Sequence, residues 1–354
     1  MKSKLSYLTI VGLAAAIVSC KKNNDVIIVP PSDGQTLTFN GGTGGANASN
    51  SAYVDMSTDK ADSTKRTSWD LGFYSGADFR VVLNNTTSAG AKVLTATDLA
   101  TVGAADTMGL TLATSQTAPD PSQLAYFDAI DGTISGTVIP AISATATDNK
   151  VVVINRGTGG GIAARPWIKA KITRNASGGY TVQYGNITQT SGFTSVDVAK
   201  DAEYNFKYVS FDGGSIVKVE PKKAEWDFTW SYSVYQTNFG SGMVPYNFSD
   251  LIAVNYLAGV QVSAKVYSTD VIRNAAYTAY NKDSVNATLS SFTTDRWAIG
   301  SSWRSTQPAT GVKTDRFYVV KDPAGNYYKL KFISMGVNDG GDRGKPVFEY
   351  KLIK

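Results

Sequence analysis

Ser68-Trp69-Asp70-Leu71-Gly72-Phe73 and, far downstream, Glu225-Trp226-Asp227-Phe228-Thr229-Trp230 decide how this chain is read. Each block puts a Trp-Asp pair at the head of an aromatic, strand-like run, and the first continues into Phe79-Arg80-Val81-Val82-Leu83-Asn84. A second echo lies further out. Val151-Val152-Val153-Ile154 leading to Pro166-Trp167-Ile168-Lys169-Ala170-Lys171-Ile172 mirrors Phe317-Tyr318-Val319-Val320 leading to Tyr327-Tyr328-Lys329-Leu330-Lys331-Phe332. Two related β lobes in tandem is the economical reading.

Periodicity supports strands. Tyr328, Leu330 and Phe332 fall on one face while Lys329, Lys331 and Ile333 fall on the other, and Phe348, Tyr350 and Leu352 alternate with Glu349 and Lys351. Turn signals separate the runs: Ser177-Gly178-Gly179, Asp212-Gly213-Gly214, Asp322-Pro323-Ala324-Gly325-Asn326 and Asn338-Asp339-Gly340-Gly341-Asp342. Helix is scarce. Ser249–Leu257, ending at Gly259, and Ala275–Asn281 are the short candidates. Residues 41–50 and 156–161 read as Gly-rich loops, and the Ala/Thr/Ser-rich segment 96–148 shows no clear period.

The amino terminus predicts an address. Lys2 and Lys4 precede the apolar run Leu8–Val18, too short to span a bilayer and typical of a signal peptide. It ends in Ile17-Val18-Ser19-Cys20, which resembles a bacterial lipobox. Residues 1–19 are therefore expected to be a lipoprotein signal peptide, Cys20 the acylated residue, and 20–35, with Pro30-Pro31, a lipidated tether to the membrane. Because Cys20 is the only cysteine, no disulfide is expected. The remaining chain is longer than a single core of roughly 250–300 residues usually supports. Lobes over 36–199 and 200–354 are expected on size and on the repeat.

The second lobe resembles the HmuY family of surface haem-binding lipoproteins of Bacteroidetes. The resemblance runs from Tyr208-Val209-Ser210-Phe211 with Gly214 and Val217-Lys218-Val219, through Glu225-Trp226-Asp227-Phe228, to Asp315-Arg316-Phe317-Tyr318-Val319-Val320, Gly325-Asn326-Tyr327-Tyr328-Lys329-Leu330-Lys331-Phe332 and Phe348-Glu349-Tyr350. The first lobe resembles the same pattern more loosely through Trp69-Asp70. The resemblance implies an all-β fold of two tandem HmuY-like antiparallel lobes with few short helices. It also implies a lipid-anchored protein of the outer membrane, on the cell surface, serving iron acquisition by capturing haem and delivering it to an outer-membrane TonB-dependent receptor.

Composition removes whole classes of chemistry. The chain has no histidine, so Ser-His-Asp and Cys-His machineries are impossible and a zinc site would need carboxylates alone. Asp70 and Asp227 at strand starts are expected to accept backbone or indole hydrogen bonds rather than to catalyse. Arg156-Gly157-Thr158-Gly159-Gly160-Gly161 lacks the Lys-Ser/Thr of a phosphate loop and reads as a flexible turn. The formal net charge of +5, with no basic run interleaved with aromatics, predicts no nucleic-acid partner. No enzyme is expected.

Haem iron is held by His, Met, Cys thiolate or Tyr, and relatives in the family use a pair of His or of Met. His is absent and Cys20 is committed to the anchor. Met243, in the loop-like Gly240-Ser241-Gly242-Met243-Val244-Pro245-Tyr246, is the leading ligand candidate. Met335, closing Phe332-Ile333-Ser334-Met335, and the phenols of Tyr246, Tyr277 and Tyr280 are the others. The family's second axial ligand is expected near Trp303-Arg304-Ser305-Thr306, where this chain has neither His nor Met. Arg304 and Lys313 are candidates to pair with haem propionates. The alternative is a relative that has lost haem and binds another small apolar ligand, a glycan or a partner protein through the same loops.

Overall fold

Alternating apolar and polar side chains build two pairs of packed sheets in the computed structural model, which describes residues 30–354 except 115 and 241. The expected leader 1–19, Cys20 and the tether as far as residue 29 lie outside the described residues.

The first pair combines a five-stranded sheet, ordered β10 (Thr194–Val198), β9 (Tyr180–Asn186), β8 (Ile168–Arg174), β7 (Val152–Asn155), β6 (Gly90–Val93), with a four-stranded one. The latter runs β12 (Ser215–Val217), β11 (Phe206–Ser210), β4 (Leu71–Tyr74), β5 (Val81–Leu83). The second pair has the order β1 (Thr36–Thr38), β20 (Val347–Leu352), β19 (Tyr327–Ser334), β18 (Arg316–Lys321), β15 (Gln261–Val266). It is backed by β14 (Met243–Val254), β13 (Phe228–Asn238), β2 (Asn50–Asp55), β3 (Lys60–Lys65). A small β16 (Arg304–Thr306) and β17 (Ala309–Val312) hairpin completes the set. All the pairings between these strands are antiparallel. The fold is all-β, as expected.

Sequence repeat and packing unit differ. β11, from the second repeat, pairs with β4 of the first at Val209↔Leu71, while β2, from the first, pairs with β13 of the second at Val54↔Phe228. Each repeat thus lends its leading hairpin to the other. The core containing Phe228, Trp230 and Tyr328 takes in Phe39, Ala52, Val54 and Met56, and the core containing Leu71, Ile154 and Tyr180 takes in Val209 and Phe211. The break at 199/200 therefore follows the repeat and does not divide the cores.

The Trp-Asp motifs make the joint. Asp70 accepts a hydrogen bond from the Phe211 N–H at 2.8 Å, and Asp227 accepts one from the Met56 N–H at the same distance. Asn84 Nδ2 donates to the carbonyls of Arg66 and Trp69, as Asn255 Nδ2 does to those of Lys223 and Trp226. Both aspartates serve backbone architecture, since a buried N–H left unpaired costs about 1–3 kcal/mol. Their charge environments differ. Asp70 is paired with buried Arg156 (Nε to Oδ1, 2.7 Å) and with Arg165, whereas Asp227 has no cation partner among the described residues, and burial pushes its carboxyl well above the usual range.

The Tyr328/Leu330/Phe332 and Phe348/Tyr350 faces are buried as predicted. Lys329, on the opposite face, is covered by α1 (Asp270–Ala279), where its Nζ donates to the carbonyls of Tyr277, Thr278 and Tyr280 and so closes the helix C-terminus. α1 overlaps the expected helix at 275–281; α2 (Lys282–Ala287) follows it. The expected helix at 249–257 is instead the end of β14 followed by a 3-10 turn, Tyr256–Ala258. Leu251-Ile252-Ala253-Val254 is a continuous apolar run buried on both faces, which periodicity alone cannot separate from helix. The 156–161 loop is packed rather than flexible: Arg66 Nη1 donates to Gly159 O, and a Cβ at Gly157 (φ +72°) would come within 2.1 Å of Thr87 O.

Candidate functional site

β13 and β14 run on together past the strands that flank them. β2 pairs with β13 only over Phe228–Trp230, but the hairpin register continues from Ser233↔Phe248 to Asn238↔Met243. The result is a two-stranded arm. Rings line it: Phe239 meets Tyr246 at 5.2 Å, Tyr246 meets Phe248 at 5.2 Å, Phe248 meets Tyr235 at 5.3 Å, and Tyr235 meets Trp297 at 5.2 Å. All four contacts are edge-to-face, a geometry worth about 0.5–1.5 kcal/mol per pair beyond burial. Phe239 and Met243 at the tip are 37% and 44% exposed. The arm is tied to the first repeat by Ser88 Oγ and Thr114 Oγ1, which bond the Asn247 amide.

Met243 is the first residue of β14 rather than part of a loop, because its backbone pairs with Asn238. Tyr246 sits within the ring row. Strand alternation places Met243 and Tyr246 on opposite faces of the arm. Met335 is fully buried in the core that also holds Trp303 and Phe332, so it fills core space and is not placed to reach a ligand. Tyr277 and Tyr280 pack under the helices against Phe317, each with ring centroids at 5.4 Å, and the Tyr280 hydroxyl bonds Thr288 Oγ1. Trp303, at the expected second-ligand position, is buried and stacked on Phe332 at 4.2 Å. Arg304 is buried with Nη2 donating to Ser249 O, so it braces β14, and burial holds its guanidinium below the usual range. Lys313 N–H donates to Trp303 O, and its residue is only partly exposed.

A second site escaped the sequence. Where the two Trp-Asp motifs meet, a cavity of about 140 Å³ is walled by Tyr53, Trp69, Tyr208 and Trp226. Trp69 meets Tyr208 edge-on at 4.8 Å and Tyr53 meets Trp226 at 5.2 Å, the same contact made twice by the repeat. Glu220, 3% exposed, accepts from Phe206 N–H at 2.8 Å and from the Tyr208 hydroxyl at 3.1 Å. Burial raises its carboxyl to about 7. Asp128 accepts from Leu83 N–H and Val138 N–H, and burial raises it to about 6. Residues 127–137, from the segment without a period, form part of the lining and are clamped from the second repeat. Trp297 Nε1 donates to Ile130 O and the Tyr256 hydroxyl to Gly132 O. Asp128, Tyr208, Glu220 and Arg296 come from separate stretches of both repeats, which is why no motif announced them.

A family model described as HmuY protein matches residues 47–194 and again 202–350. The chain belongs to the HmuY family. Each HmuY match contains one Trp-Asp block, and the two together cover most of the chain. No curated protein and no solved structure matches it. Among the described residues of this HmuY chain no cluster of three or more His, Cys, Asp or Glu is placed to hold a metal ion, and no helix is long and apolar enough to cross a membrane.

Proposed function

We propose that this HmuY-family chain is a cell-surface lipoprotein, anchored to the outer membrane through Cys20, that captures haem without histidine and passes it to a TonB-dependent receptor. The observation that carries the reading is the arm: a row of partly exposed rings with a thioether at its tip. A porphyrin is flat and apolar, and such a row offers it contact area without ordering long side chains. Met243, at the tip on the face opposite Tyr246, and the Tyr246 phenolate, within the ring row, are the two donors for the iron. Lys313 is the propionate partner that remains partly exposed; Arg304 is engaged with Ser249. Haem is cargo here, and no reaction is assigned.

The second reading is a relative that has lost haem and holds another apolar molecule, a glycan or a partner protein. The burial of Met335 and Tyr277, and the engagement of half-buried Tyr280 with Phe317 and Thr288, favour it, since that leaves few donors able to reach an iron. Titration of haemin into the chain from residue 21 onward, with and without dithionite, separates the two. A saturable Soret shift that sharpens on reduction and is lost in Met243→Ala supports thioether ligation, because soft sulfur favours ferrous iron. A shift confined to the ferric state and lost in Tyr246→Phe assigns the phenolate. No saturable change refutes haem capture.

A further inference from the structure

Every polar group around the inter-repeat cavity can be sorted by whether it already has a partner. The carboxylates are engaged: Glu220 by Phe206 N–H and the Tyr208 hydroxyl, Asp128 by Leu83 and Val138 N–H. Asn255 Oδ1 accepts from Asn205 Nδ2. Three donors are among the groups left over. Arg296 lines the cavity with its guanidinium 4.9 Å from the Trp297 ring, and that guanidinium makes no hydrogen bond or ion pair among the described residues. Tyr53, nine-tenths buried, has a hydroxyl with no hydrogen-bond partner there, and the enclosed Trp226 Nε1–H has no acceptor. Buried donors without acceptors are uncommon in native structures and call for an explanation.

We infer that this cavity binds a small monocarboxylate with an aromatic or branched apolar body, its carboxylate received by Arg296 and the Tyr53 hydroxyl and its body held between Trp69, Trp226 and Phe127. Size fits this class. A cavity of about 140 Å³ matches the roughly 150 Å³ apolar cavity known to accept benzene, and it is far too small for a porphyrin. A planar guanidinium is suited to bidentate capture of a carboxylate. An amine is disfavoured, because the only carboxylates present already accept protein hydrogen bonds and Arg296 repels it.

The charges facing the site set a pH dependence. Glu220 and Asp128 are the lining acids, Arg296 is the lining cation, and Tyr53, Tyr208 and Tyr256 complete the titratable set. Burial lifts all three phenols above their ordinary range, so they stay neutral at physiological pH. Because Glu220 rises to about 7 and Asp128 to about 6, an incoming anion meets less negative charge on the acid side of neutrality. Affinity is expected to fall as pH rises through that interval.

This site is separate from the arm, so its success or failure does not depend on haem capture. The test uses the chain from residue 21 onward and follows tryptophan fluorescence, since Trp69 and Trp226 form the walls. Benzoate is the probe, with benzylamine as its cationic counterpart. Saturable quenching by benzoate is expected, weakened at least about tenfold in Arg296→Gln, partly restored in Arg296→Lys, reduced in Tyr53→Phe, and unchanged in Met243→Ala. Thermal unfolding establishes that each variant is folded. The inference is overturned if benzoate gives no saturable change, if benzylamine binds as well, or if folded Arg296→Gln binds benzoate like the parent.

Discussion

Glu220 carries a measurable consequence for stability. Its carboxyl is 3% exposed, and burial raises it from 4.5 to about 7. In the unfolded chain it ionises near its ordinary value, so between the two values the folded state binds the extra proton and stability falls as pH rises. The folded state is penalised fully only above the higher value. The interval corresponds to about 3 kcal/mol. Glu220→Gln keeps an oxygen for Phe206 N–H and supplies an amide that can donate to the Tyr208 oxygen, so little packing is lost. Urea unfolding followed by fluorescence should find variant and parent alike at about pH 4, and the variant more stable by as much as about 3 kcal/mol at about pH 8. Asp128 shifts in the same direction and leaves the variant a residual slope. A difference between the two proteins that does not change with pH would refute the argument.

Arg156→Met strips Asp70 of its buried partner and is expected to cost about 3–5 kcal/mol, whereas Asp70→Asn with Arg156→Met should cost less; chemical denaturation of these two and of Asp70→Asn alone gives the coupling. Arg66→Met frees the carbonyls of Asn47, Ala48, Thr86 and Gly159 at once and should lower stability by more than about 3 kcal/mol by the same assay. Met335→Ala empties a core position and should cost about 2–5 kcal/mol, while Met243→Ala at the arm tip stays within about 0.5 kcal/mol of the parent in thermal unfolding.

Local chemistry was legible wherever one strand sufficed to express it. Tyr328, Leu330 and Phe332 declare their face by alternation, and the two Trp-Asp blocks declare their equivalence by composition. Trouble began where a side chain's role depends on what another segment covers. Tyr277 falls in an expected short helix, but nothing in the sequence shows that it packs on Phe317, and Met335 closes its strand without showing that it is fully buried in the core that holds Trp303. The cavity lay beyond reach for the same reason. Its arginine, its acids and its rings meet only because hairpins cross between repeats, and no spacing along the chain encodes that crossing.

The crossing also fixes what the halves can do apart. Release of either repeat would tear one hairpin out of its neighbour's sheet and strand the N–H groups of Met56 and Phe211 that the aspartates now hold. A cut in the connector between Val198 and Phe206 should therefore leave two fragments clasped without a covalent link, unfolding as one body. Either half expressed alone would display an open strand edge where β2 or β11 belongs, and a second copy of itself would be the nearest thing able to fill it. Two strand-exchanged copies of one repeat, joined end to end, would have this topology.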